Sequence, residues 1–158
     1  MKNTDRVDTE LFESSHYLGK PADFKDKIIG RRLNLLHQVE GFCGNSLHCI
    51  EIGCGNGANT VQLSHDFESI KGLEYFEGHE KSFNDLKTKF HADNCEFIHF
   101  NIEKETYSPQ ADRLVSFEVI EHLNQESSVE NFAGSLKAGG LAVISVPNKW
   151  WIFEQHGA

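Results

Sequence analysis

Apolar residues recur along this chain in two alternating rhythms. Short strand-like segments stand at Leu47–Ile50, Ser69–Glu74, Cys95–Phe100, the opening of Ala111–Leu123, and Leu141–Val146. Between them, apolar positions fall three and four apart, the spacing of one helix face. Ile28, Ile29, Leu33, Leu36 and Val39 form the first such stripe, Phe83, Leu86 and Phe90 the second, and Val129, Phe132, Ala133 and Leu136 the third. Asp23 stands where an N-cap belongs, with Asp26 in the first turn of a helix running to about Val39. Leu136–Gly140 reads as the close of a helix. Strands alternating with helices imply an α/β fold, a doubly wound parallel sheet with helices on both faces.

The first segment carries the chemistry. Leu47–Ile50 runs into Glu51-Ile52-Gly53-Cys54-Gly55-Asn56-Gly57. An apolar run that ends in a carboxylate and breaks into three alternating glycines reads as strand, tight turn, helix. Glycine allows positive φ and close approach of a ligand to the main chain. The following helix turns its free N–H groups toward the turn. The spacing is G-x-G-x-G, not the G-x-G-x-x-G of dinucleotide-binding turns. Cys54 reads as a small packing residue. Glu74 closes the second strand, where a carboxylate can accept hydrogen bonds from both hydroxyls of a ribose or remain a solvated turn residue. Asn101 follows the third strand, as a ligand contact or simply as a turn former.

The acid at Glu51 with Gly53, Gly55 and Gly57 resembles the first motif of the class I S-adenosylmethionine-dependent methyltransferases, and the ordered segments from Leu47 to Asn148 extend the likeness. The resemblance implies a Rossmann-like fold and S-adenosyl-L-methionine as cofactor. It implies cofactor contacts at Glu51, Gly53, Cys54, Gly55, Asn56, Gly57, Glu74, Tyr75, Asn101, Ile102 and Phe117. The reaction it implies is an in-line displacement at the sulfonium methyl, for which the protein aligns nucleophile, carbon and sulfur. Family sheets usually have seven strands, the last two forming an antiparallel hairpin. Five are readable here, so the sheet is expected to be truncated after the fifth.

Glu118, Glu121 and His122 follow the fourth strand, at the edge where open parallel sheets bind ligands. On a helix they would share a face and suit a divalent ion such as Mg²⁺, Mn²⁺ or Zn²⁺. Phe117–Leu123 is similar both to ubiquinone-type O-methyltransferases and to small-RNA 2′-O-methyltransferases. The second likeness implies a metal held by Glu118, Glu121, His122 and a later histidine, for which His156 is the candidate. Without metal, His122 is a candidate general base, with Glu121 as its catalytic companion, or a structural residue.

Composition narrows the setting. A length of 158 residues fits one domain, read as a polar N-terminal segment over 1–22 and the methyltransferase domain over 23–158. Met1–Arg6 opens no secretory pattern, and no apolar run is long enough to span a bilayer. Cys43, Cys49, Cys54 and Cys95 are scattered, which fits a reducing cytoplasm. A net charge of −9 disfavours nucleic acid. Lys25, Lys27, Arg31 and Arg32 read as a solvated helix face. His16 and Tyr17 are either tail residues or acceptor contacts.

Trp150, Trp151, Ile152 and Phe153 crowd the C-terminal end. They point to a fragment of a longer protein, or to a partner, and so to a homodimer through the open sheet edge or the C-terminal tail. Three functions compete: methyl transfer to a small-molecule acceptor, most simply at oxygen; RNA 2′-O-methylation; and a truncated, non-catalytic cofactor-binding subunit. A nicotinamide oxidoreductase is disfavoured by the glycine spacing and by the lack of a Tyr-x-x-x-Lys set.

Overall fold

The computed structural model describes residues 24–147. His16, Tyr17, Asp23, Trp150, Trp151, Phe153 and His156 lie outside the described residues. In chain order the elements are α1 (Lys27–Leu36), β1 (Gly44–Ile52), α2 (Ala58–Leu63), β2 (Phe67–Glu74), α3 (Glu80–Lys89), β3 (Cys95–His99), β4 (Ala111–Phe117), α4 (Gln125–Gly134) and β5 (Leu136–Ser145). Single 3₁₀ turns lie at Ser64–Asp66, Glu77–His79 and Ile120–His122.

The five strands form one sheet in the order β3-β2-β1-β4-β5, and every pairing is parallel. This is the expected doubly wound, Rossmann-like α/β sheet. The chain leaves β1 toward β2 on one side and returns to β4 on the other. The carboxyl ends of β1 and β4 therefore flank the switch point at which such sheets take ligands.

Strand alternation divides the core in two. Cys49, Ile70, Val115 and Phe117 face a layer that contains Ile29, Leu33 and Leu36 of α1, Val61 of α2 and Phe83 of α3. Ile50, Ile52, Leu73 and Leu114 face the other way, against Ile102, Tyr107, Leu123 and Phe132 of α4. The alternation sends Glu51 of β1 toward the three-helix layer.

Several expected boundaries move. Asp26, not Asp23, caps α1: its carboxylate accepts from Ile28 N at 2.9 Å. Ile29, Leu33 and Leu36 are buried, but Ile28, one residue off that stripe, is 53% exposed, and Val39 is 40% exposed because the helix ends at Leu36 before Val39 could rejoin the stripe. Phe83 is buried, with Leu86 and Phe90 packed at the margin as expected. In α4 only Phe132 of the expected stripe is buried, and Val129 and Ala133 are exposed. Leu136–Gly140 does not close a helix. α4 stops at Gly134, and Leu136 already pairs with Ala111. Arg113 then faces Leu141, so residues 137–140 bulge from the strand, with Gly139 at φ +80° making the turn.

Candidate cofactor-binding and active site

The glycine turn joins β1 to α2. Gly53, Gly55 and Gly57 have φ of +73°, +52° and +80°, the left-handed region in which a Cβ is strained. Their surroundings differ. A Cβ on Gly53 would stand 2.3 Å from Val119 Cγ2, and one on Gly57 would stand 2.3 Å from Phe83 Cδ2. These two glycines let the turn pack against the β4 loop and α3. A Cβ on Gly55 would meet nothing within 4 Å. The middle glycine alone borders open space, as a cradle for a ligand requires.

Glu74 organises the opposite wall. Its Oε2 accepts from Gly55 N at 2.9 Å, and its Oε1 accepts from Phe76 N at 2.9 Å. The side chain is buried, so it is not a solvated turn residue. A carboxylate offers about four lone-pair sites. Two hold the turn and two remain. Gly53 N and Cys54 N both donate to Leu73 O, at 2.8 and 3.3 Å, tying the turn to β2.

Glu51 is placed differently from expectation. It is 1% exposed and accepts from Asn59 Nδ2 at 2.9 Å and from Thr60 Oγ1. The acid braces the first turn of α2 from beneath. Burial pushes its carboxyl up to about 7; Thr60, Asn59 and the Arg32 charge oppose that rise, and Glu74 adds to it. Cys54 is buried against Gly72, and burial holds its thiol well above the ordinary range. It packs, as expected. Asn56 is buried beside it in the turn.

The residues expected on the adenine side, Tyr75, Asn101 and Ile102, gather at the ends of β2 and β3. Phe100 N donates to Glu74 O at 2.8 Å, joining the two strand ends. Tyr75 is half-buried, with its ring 6.3 Å from that of His99. Asn101 Oδ1 accepts from Glu103 N at 3.0 Å, so its turn-forming role is realised. Ile102 is buried beneath it.

After β4 the backbone is strained. Glu118 has φ +58°, uncommon for a residue with a side chain and frequent at functional sites. Its Oε1 accepts from Ser145 Oγ at 2.7 Å and lies 3.9 Å from Arg32 Nη2. The next residues form a 3₁₀ turn, not an α-helix, which breaks the spacing that would align three donors. Glu121 Oε1 is 3.9 Å from His122 Nε2, and the His122 side chain is 48% exposed. Glu118, Glu121 and His122 form no cluster of metal-donor atoms among the described residues.

Arg32, read from the sequence as solvated, sits over the Phe117 ring with its guanidinium carbon 5.5 Å from the centroid. Its position was available in the pattern: it lies three residues after Ile29 and four before Leu36, inside the buried stripe. Asn59 and Thr60 were missed because nothing in the spacing marks partners for a buried acid. Val119 and Phe83, which meet the outer glycines, were likewise invisible as turn partners.

A parallel five-stranded sheet, open space over a positive-φ glycine and a carboxylate at the second strand end define a Rossmann-like nucleotide-cofactor domain. Residues 50–144 match the family described as a methyltransferase domain, and the chain belongs to that family. Solved structures agree on the fold. Coclaurine N-methyltransferase bound to N-methylheliamine and SAH superposes with a TM-score of 0.64 at 13% identity, over 74% of this chain and 34% of that one. The O-methyltransferase StiE, residues 961–1257, gives 0.63 at 17%, over 72% and 42%. A putative methyltransferase from Bacillus halodurans C-125 gives 0.65 at 17%, over 73% and 50%. This chain thus spans a third to a half of the length of these structures. No curated protein matches it in sequence. The fold is that of class I S-adenosylmethionine-dependent methyltransferases.

Proposed function

We propose that this chain binds S-adenosylmethionine at the carboxyl ends of β1, β2 and β4 and methylates a small-molecule acceptor, at a hydroxyl oxygen. The observation that carries the reading is the open position at Gly55, framed by a Glu74 carboxylate with acceptor capacity to spare. The turn from Gly53 to Gly57 receives the methionine part. Glu74 receives the ribose hydroxyls. Tyr75 and Ile102 wall the adenine, the Asn101 Oδ1 accepts from its amine through a second lone pair, and Phe117, at the end of β4, lines the methionine side. Arg32, beside Phe117 and Glu118, offers a charge-assisted bond to the cofactor carboxylate. When bound, S-adenosylmethionine supplies a methyl group made electrophilic by its sulfonium.

His122 takes the hydroxyl proton at Nδ1, the nitrogen away from Glu121, whose carboxylate stabilises the imidazolium that results. The buried walls around the turn exclude water from the reacting line. This role needs no convergence of Glu118, Glu121 and His122 on a metal, which their geometry does not favour. RNA is disfavoured as acceptor by the net charge of −9.

Calorimetry with S-adenosylhomocysteine tests the cofactor assignment. Gly55→Val fills the open position and abolishes binding. Glu74→Ala weakens it by about tenfold or more, since a bond to a charged group contributes roughly 1.5–3 kcal/mol. Unchanged affinity in both variants would move the site elsewhere. A methyl-transfer screen over phenols, carboxylic acids, amines and short RNAs then tests the acceptor. His122→Ala is expected to lose turnover while keeping cofactor affinity.

A second reading rests on β5, the edge of the described sheet, where Leu141, Ile144 and Val146 are 39%, 42% and 55% exposed. Such an edge is a template for another chain. Under this reading the chain is a cofactor-binding subunit whose acceptor pocket is completed across β5 by a second copy.

A further inference from the structure

We propose that His37, Cys43 and Asp66 form a binding site for a borderline transition ion, Zn²⁺, at the end of the sheet opposite the glycine turn. His37 is the C-cap of α1, Cys43 immediately precedes β1, and Asp66 closes the 3₁₀ turn before β2. Three separate segments thus deliver an imidazole nitrogen, a thiol sulfur and a carboxylate oxygen, all within 4.8 Å of one another. His37 Nε2 and Asp66 Oδ2 already touch at 2.8 Å.

The separations suit insertion of an ion. Tetrahedral zinc with bonds of about 2.0–2.3 Å holds its donors about 3.3–3.6 Å apart. The His37–Asp66 contact, at 2.8 Å, must open by about half an ångström, and the Cys43 sulfur, within 4.8 Å of both, is near enough to close on the ion. Three protein donors leave a fourth position for water, the pattern of an open zinc site. The His37 side chain is 46% exposed and the Asp66 side chain 25%, so an ion can enter from solvent.

The donor types select the ion. A thiolate and an imidazole favour zinc over magnesium or calcium, which prefer oxygen. Thiolate and carboxylate together neutralise a divalent charge. The thiol is otherwise held protonated: burial and the neighbouring Asp66 charge raise its pKa, and Arg113 lowers it. On binding, the Cys43 proton leaves to solvent as the sulfur–zinc bond forms. His37 would bind through Nε2, with its ring proton on Nδ1. Cys49 and Cys54 are buried and cannot substitute. The ion would pin the end of α1 to the base of the sheet.

The test is cobalt titration of the untagged, reduced, metal-free full chain. Thiolate ligation gives a sulfur-to-cobalt charge-transfer band. The band is expected in the wild type, to be bleached by Zn²⁺, and to vanish in Cys43→Ser. His37→Gln and Asp66→Asn are expected to weaken zinc by more than the roughly 10–100-fold that loss of an outer partner costs. Zinc is also expected to raise the melting temperature of the wild type and not of Cys43→Ser. Circular dichroism checks that each variant is folded, and Asp66→Asn serves if Cys43→Ser is not. No band at saturating cobalt, a band that survives Cys43→Ser, or zinc affinity unchanged in both His37→Gln and Asp66→Asn would show an ion pair beside a thiol and overturn the proposal.

Discussion

Glu51 shows how one residue can serve folding and site together. Strand alternation points it inward, and Asn59 and Thr60 satisfy its oxygens. It still bears a desolvation cost when ionised, since burial pushes its carboxyl to about 7 from an ordinary 4.5. Between those values the folded protein binds a proton that the unfolded chain has released. Stability therefore falls as pH rises from about 4.5 through 7, then levels off. A shift of this size corresponds to about 3 kcal/mol. Glu51→Gln carries no titrating proton, so the difference between wild type and variant isolates the effect. In urea unfolding at pH 5 and pH 8, the wild type is expected to lose stability relative to Glu51→Gln by up to that amount. A constant difference across the two pH values would mean that the carboxylate is better solvated than its burial implies.

At the scale of elements, α1 carries Arg32 to the Phe117 ring beside the candidate site. Its start depends on Asp26, whose carboxylate holds Ile28 N. Losing such a cap costs about 1 kcal/mol. Asp26→Ala is expected to lower stability by that much and Asp26→Ser to restore most of it, measured by thermal melting. Equal losses in both would assign the effect to charge, not to the cap.

The same elements show what the sequence could convey. Five strands and the glycine turn were legible because apolar runs and a G-x-G-x-G spacing are local signals. The identity of the cap was not, since Asp23 and Asp26 are equivalent in pattern and only the start of the helix at Lys27 singles out Asp26. Leu136–Gly140 misled for a similar reason. Leu136 continues the helical spacing of Phe132, but its backbone pairs with Ala111 across the sheet, a long-range choice with no local mark. The roles of the three glycines were likewise hidden, because Val119 and Phe83, which crowd two of them, come from distant segments. Glu118, Glu121 and His122 follow the fourth strand as the sequence places them, but their convergence was conditional on a helix, and the 3₁₀ turn separates what an α-helix would have aligned.

At the scale of the whole molecule, the sheet is unevenly protected. β1 and β4 lie inside it, with Ile50, Leu114 and Val115 fully buried. β5 pairs on one side with β4 and is the edge of the described sheet, yet it carries Leu141 and Ile144 at the surface, with Val146 just beyond its end. Proteins usually blunt an edge with charge, proline or cover. Here Pro147 ends the run, but no charged residue lies between Leu141 and Val146. Pairing of two such edges would satisfy unpaired backbone groups and bring Ile144 and Val146, on one face, beside their counterparts. The chain is therefore expected to associate in solution, with a mass by light scattering that rises with concentration. Ile144→Lys places a charge on the edge at a side chain that is 42% exposed, so the protomer itself loses little stability. The variant is expected to remain monomeric while keeping its melting temperature and its affinity for S-adenosylhomocysteine. If methyl transfer disappears with the dimer while cofactor binding remains, the acceptor pocket is completed across this edge. If transfer persists in the monomer, one copy holds the whole active site. A wild-type chain that stays monomeric at high concentration would show that β5 is covered within a single protomer.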